Sequence, residues 1–221
     1  MTFWGTTGQA FGATVAAALL LALAPVPALA GAQVEERLAP SVVAGLQRAI
    51  ADNPVPADYR NRAGLRHWVE EMSRRLAPKL ADPRSRDDFL ATVHYEAERA
   101  GLDPQLVLGV IQHESNLRKY AISHADARGY MQVMPFWTKL IGTTEHNLFN
   151  LRTNLRYGCV ILRHYLDTEN GDLFRALGRY NGSLGRPEYP TAVLAAMNRS
   201  WVFTPATPAK IGALSSPTAL R

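Results

Sequence analysis

The chain has 221 residues, 47% hydrophobic and 19% charged, which allows one domain with a small annex and excludes intrinsic disorder. One cysteine, Cys159, excludes an internal disulfide framework and a multi-cysteine zinc site. The net charge of +5 lies wholly beyond residue 30 and forms no basic run, so nucleic acid is not an expected partner.

Residues 1–30 carry no Asp, Glu, Lys or Arg, and Phe11–Ala24 is almost continuously apolar. Pro25, Pro27 and the triplet Ala28-Leu29-Ala30 follow, which is the layout of a secretory signal peptide cleaved before Gly31. The competing reading is an uncleaved inner-membrane anchor, although a spanning helix wants about 20 apolar residues and two prolines end this one early. Either way the folded part is expected outside the cytoplasm, and the first reading places it in the periplasm. Without a second cysteine, an exported protein of this kind does not depend on disulfides.

Residues 31–84 read as a helical extension whose role is packing. Leu38, Val42, Val43, Leu46 and Ile50 recur at helical spacing, as do Leu65, Trp68, Val69, Met72 and Leu76, with Pro54 and Pro56 between the two runs. A third helix is predicted over 86–100, carrying Phe89, Leu90, Val93 and Ala97 and stopped by Gly101 in a left-handed cap. Asp103-Pro104 then supplies an N-cap and a first-turn proline for a helix ending near Glu114. Residues 116–135 read as a structured loop. Helices follow over 147–169, 172–180 and 190–200, and 204–221 is a Pro/Ala/Ser-rich tail expected to be disordered. No strand pattern competes. The fold class is all-α.

Glu114 ends an apolar helix in the run Ile111-Gln112-His113-Glu114-Ser115. Burial and the negative end of the helix dipole both disfavour its carboxylate and raise its pKa. An ordinary Glu at about 4.3 is protonated only about 0.2% of the time at pH 7. A value of about 6–7 would make roughly 10–50% available as a general acid. Position alone favours a solvated surface glutamate, since most glutamates are exposed.

The surrounding pattern bears on that choice. Ser123 follows Glu114 by 9 residues, Gly129 by 15 and Gln132 by 18, within Ala127-Arg128-Gly129-Tyr130-Met131-Gln132-Val133-Met134-Pro135. Asn154 and Gly158 come next, then Ala176-Leu177 and Tyr180-Asn181-Gly182. Over residues 85–203 this resembles the soluble lytic transglycosylase catalytic domain, a lysozyme-like family that cleaves peptidoglycan glycan strands.

The resemblance implies a lysozyme-like domain with Glu114 as sole catalytic acid/base. It implies Ser123 near the glutamate or the sugar's N-acetyl group, and Gly129 keeping the cleft open. Gln132 and Met134 would line the cleft with Met131 beside them. The Tyr180 hydroxyl would approach the glutamate, Asn181 would hold the turn, and Tyr189 would be a further cleft aromatic. The implied reaction cuts the β-1,4 bond from N-acetylmuramic acid to N-acetylglucosamine and closes a 1,6-anhydro ring. Hydrolysis on the same fold and a non-catalytic glycan-binding or secretion-complex role are the alternatives. Peptidoglycan strands are the implied partner. Cell-wall or secretion-complex proteins stay open as others, and a monomer is expected.

Bland readings stand beside these. Met131 and Met134 could be core filler, Gly129 could serve only a tight turn, and Asn181-Gly182 is an ordinary turn dipeptide. The family usually has Gly where this chain has Asp126, which is either a second carboxylate for the cleft or a surface loop residue. His113-Glu114 does not complete H-E-x-x-H, because position 117 is Leu117, so no metal or other cofactor is expected. Cys159, Phe136 and Trp137 read as core.

Overall fold

A computed structural model describes Met1 and residues 33–51, 56 and 58–204. The expected signal peptide, apart from Met1, and the tail beyond Thr204 lie outside the described residues. Among those described, eight α-helices, one 3₁₀ turn and no strand make an all-α fold. No helix among them is long and apolar enough to cross a membrane.

The helices are α1 Pro40–Ile50, α2 Ala63–Leu76, α3 Pro83–Arg99, α4 Pro104–Glu114, α5 Phe136–Ile141, α6 Leu151–Thr168, α7 Leu173–Asn181 and α8 Glu188–Arg199. Local chemistry sets many of their ends. Asp82, Asp103, Asn150 and Asp172 each accept a backbone N–H from the first turn they cap. Gly101, Gly171 and Gly182 follow helix ends with φ of +65°, +85° and +75°, where a side chain would be strained. Two elements escaped the periodicity: α5, six residues long, and the 3₁₀ turn Tyr59–Asn61, both too short to complete two helical turns. The helix expected from 147 begins at Leu151, because Asn150 spends its side chain on the Thr153 N–H.

α4 is the buried axis. Leu106 through Ile111 are all sealed from solvent, and the helix packs against α3 on one side and α8 on the other. At Gly109 a Cβ would stand 3.0 Å from the Val193 carbonyl oxygen, so the α4–α8 approach depends on that glycine. α6 lies across α3 and α7, α2 lies along α3, and α1 bridges α5 and α6. The α1 and α2 side chains Leu46, Ile50, Trp68, Met72 and Leu76 join the same core as α4 and α6.

Candidate active site

Glu114 closes α4 and is 6% exposed. Its Oε1 accepts the Tyr189 hydroxyl at 2.6 Å, and its Oε2 is buried without a partner among the described residues. Loss of water pushes its pKa up to about 7, while the Tyr189 hydroxyl and the Asn181 amide pull the other way by favouring the carboxylate. Burial wins. The carboxyl therefore stands near half protonation at neutrality, with one oxygen on Tyr189 and the other buried and unpartnered among the described residues.

The tyrosine beside the acid is Tyr189, not Tyr180. Tyr180 is fully buried and its hydroxyl donates to the Met131 carbonyl at 2.7 Å. It lies close enough for the Glu114 charge to raise its pKa, but its proton goes to the loop backbone. The reason is tertiary: the close α4–α8 crossing swings the first turn of α8 over the end of α4, whereas Tyr180 is committed to the loop from α7.

The loop 115–135 is held by polar contacts. Ser123 Oγ accepts the backbone N–H groups of Ala125 and Ala127 at 3.2 and 3.1 Å, which turns the serine onto its own loop, with no hydrogen bond to Glu114. Gln132 is 2% exposed and donates to the carbonyls of Gly129 and Ala121 at 2.9 and 3.2 Å. It braces the loop and does not offer its amide to a cleft. Asn154, from α6, takes the Met131 N–H at 2.8 Å and donates to the carbonyls of Arg128 and Leu148, both at 2.8 Å. Asn154 was part of the sequence pattern without an assigned role. Its role is to clamp this loop.

Two glycines explain the clamp. A Cβ on Gly129 would run into the Asn154 amide and stand 2.6 Å from the Leu148 carbonyl oxygen, at a φ of +76°. Packing against Asn154 and Leu148 by itself requires glycine at position 129. A Cβ on Gly158 would meet the Met131 side chain, whose Cβ would lie 2.7 Å away. Met131 is wholly buried on that glycine and is core, not cleft lining. Met134 is only partly buried, and Asn181 is 6% exposed at the end of α7.

Asp126 has φ +67° and is bound to Arg128 through two contacts at 2.9 and 3.0 Å. The left-handed backbone accounts for glycine at the equivalent family position, and the arginine directs this carboxylate along the loop. Cys159 is buried and burial pushes its thiol up, as an inert core thiol requires. Among the described residues no group of three or more His, Cys, Asp or Glu could hold a metal ion.

Residues 91–190 match the family model described as the transglycosylase SLT domain. Those residues, just under half of the chain, are similar to an SLT transglycosylase domain. A protein of Haemophilus influenzae (strain PittEE) named membrane-bound lytic murein transglycosylase C is 39% identical over 135 residues, 54% of this chain and 38% of its own. Its namesake in Serratia proteamaculans (strain 568) is 29% identical over 156 residues, 67% of this chain and 41% of its own. A transglycosylase of Enterobacteria phage PRD1 is 35% identical over 98 residues, 44% of this chain and 36% of its own. The chain thus spans well under half the length of these relatives. The SLT-like region runs from the middle of α3 to the first turn of α8, so it contains both Glu114 and Tyr189 and leaves α1 and α2 outside.

Proposed function

We propose that this chain is a peptidoglycan lytic transglycosylase in which Glu114 is the sole acid/base. The observation that carries the reading is the buried Glu114 carboxyl, near half protonation, with one oxygen on Tyr189 and the other unengaged. Protonated Glu114 gives its proton to the oxygen bridging N-acetylmuramic acid and N-acetylglucosamine as the C1–O bond breaks. The electron-poor anomeric carbon is stabilised by the substrate's own acetamide. Glu114, now a carboxylate, removes the proton of the C6 hydroxyl as that oxygen bonds C1. The acid is restored, and the product is a 1,6-anhydro sugar plus a free 4-hydroxyl.

One carboxyl suffices because it serves in turn as acid and base. No other carboxylate contributes to the Glu114 pKa, and Asp126 is bound to Arg128. Attack by a hydroxyl already tethered to the reacting sugar has a large effective concentration over water. The Tyr189 hydroxyl steadies the carboxylate form in the second half of the reaction.

Export to the cell envelope belongs to the same reading. It is supported by the apolar, uncharged residues 1–30 and by the words "membrane-bound" in the relatives' names. Peptidoglycan strands are the partner.

Mass spectrometry of digested, purified peptidoglycan tests the reaction. Anhydro ends, one water lighter than reducing ends, are expected from the wild type and none from Glu114→Gln. Reducing ends would make it a hydrolytic muramidase. Wild-type turnover by Glu114→Gln would remove the mechanism.

A further inference from the structure

A side chain from far upstream of the SLT-like region is seated against its site. Gln33 is 4% exposed. Its carboxamide oxygen accepts the Trp137 indole Nε1–H at 3.0 Å and the Met134 backbone N–H at 3.4 Å. The same carboxamide faces the Tyr180 hydroxyl without closing a hydrogen bond to it, and Tyr180 in turn feels the Glu114 charge. Three residues on, Glu36 pairs with Arg179 at 2.8 Å, beside Tyr180 in α7. The segment is therefore fastened to α5 and α7 at two points.

The fit is good on one side of the amide and poor on the other. Two N–H donors converge on the carbonyl oxygen, yet the Gln33 amide nitrogen is buried with no partner among the described residues. A buried NH₂ without an acceptor is unfavourable. An N-acetyl group presents the same carbonyl but carries a methyl where glutamine carries that NH₂. A methyl needs no partner there. The donors that hold the Gln33 carbonyl would hold an acetamide carbonyl equally well.

We propose that Gln33 is an internal ligand, occupying a pocket built by the Met134 N–H, the Trp137 Nε1–H and Tyr180 for the N-acetyl group of a glycan-strand sugar. This rests on the reading of the chain as a glycan-cleaving enzyme. Residues 33–36 must leave before the sugar enters, so glycan affinity is lowered by the fraction of molecules whose pocket is open. For a segment seated nine times in ten, the loss is about tenfold.

The test is calorimetric binding to the full chain carrying Glu114→Gln, which keeps the probe intact. The probe is a β-1,4-linked N-acetylglucosamine tetramer, compared with its de-N-acetylated form. Gln33→Met keeps the side-chain volume but removes the carbonyl, and Glu36→Gln releases the exposed clip to Arg179 without touching the pocket. Each should tighten binding of the acetylated tetramer by about tenfold and leave the de-N-acetylated one unchanged. Trp137→Phe should weaken the acetylated tetramer. Unchanged or weaker binding in both Gln33→Met and Glu36→Gln overturns the proposal, as does an equal gain for the two tetramers. Failure of every variant, and of the chain with native Gln33, to bind either tetramer would remove the glycan-cleaving reading itself.

Discussion

At the scale of single residues, the chemistry turns on a contest over one carboxyl. Burial raises the Glu114 pKa, and Tyr189 and Asn181 lower it to about 7. Activity requiring the protonated acid should thus decline as pH rises through about 7. Tyr189→Phe removes a contact that favours the carboxylate, so the alkaline limb should move to higher pH. Proton return in the second step should slow, with kcat falling by about tenfold. A pH profile of kcat and kcat/KM for both proteins checks this, and an unmoved limb would deny Tyr189 that role.

The same pKa has a stability sign. A carboxyl whose folded pKa exceeds its unfolded value gives its full contribution below the unfolded value. That contribution is lost as pH rises through the folded value, here from about 4.5 to about 7. Glu114→Gln escapes the loss. Its advantage in unfolding free energy over the wild type should therefore widen by up to about 3 kcal/mol between pH 4 and pH 8. Denaturant unfolding at the two pH values measures it.

At the scale of elements, the loop 115–135 is where local sequence rules stop. Asn116, Leu117, Asp126 and Gln132 all have positive φ, at 51°, 65°, 67° and 48°, and none is glycine. Such backbone is sustained by surrounding contacts, here the Asn154 clamp and the Gln132 brace. Gly129→Ala would add both a strained φ and a collision with Leu148 and Asn154. A loss of about 2–4 kcal/mol is expected, with the loop's amide exchange accelerated before that of α4. The helices themselves were legible because periodicity and caps are nearest-neighbour effects. The Gly101 and Asp103 signals marked the end of α3 and the start of α4 to within a few residues.

At the scale of the whole molecule, a buried ion cluster joins the N-terminal extension to the SLT-like region. Glu96 of α3 is bound by Arg99 at 3.2 Å and by Arg152 and Arg156 of α6, both at 3.4 Å. Arg99 and Arg156 also donate to the carbonyls of Ala49, Ile50 and Ala51 at the end of α1. Removing one partner from a buried ionic cluster costs far more than an exposed bridge is worth. Glu96→Gln should destabilise by about 3 kcal/mol and speed hydrogen exchange in α1 ahead of α8. Thermal unfolding with exchange mass spectrometry reads both. Uniform acceleration across all helices would show that α1 is not held through this cluster.

What the sequence determined alone was the set of longer helices and some of their caps, Asp103 and Gly101 among them. Those follow from spacing and neighbouring side chains along one chain. Only the tertiary structure decided which phenol meets that acid, why Gly129 cannot carry a side chain, and that Gln33 reaches α5 and Tyr180. Each of these depends on two segments meeting in space: α8 on α4 across Gly109, α6 on the loop through Asn154, and the N-terminal segment on α5 and α7. No pattern within a single segment encodes such a meeting.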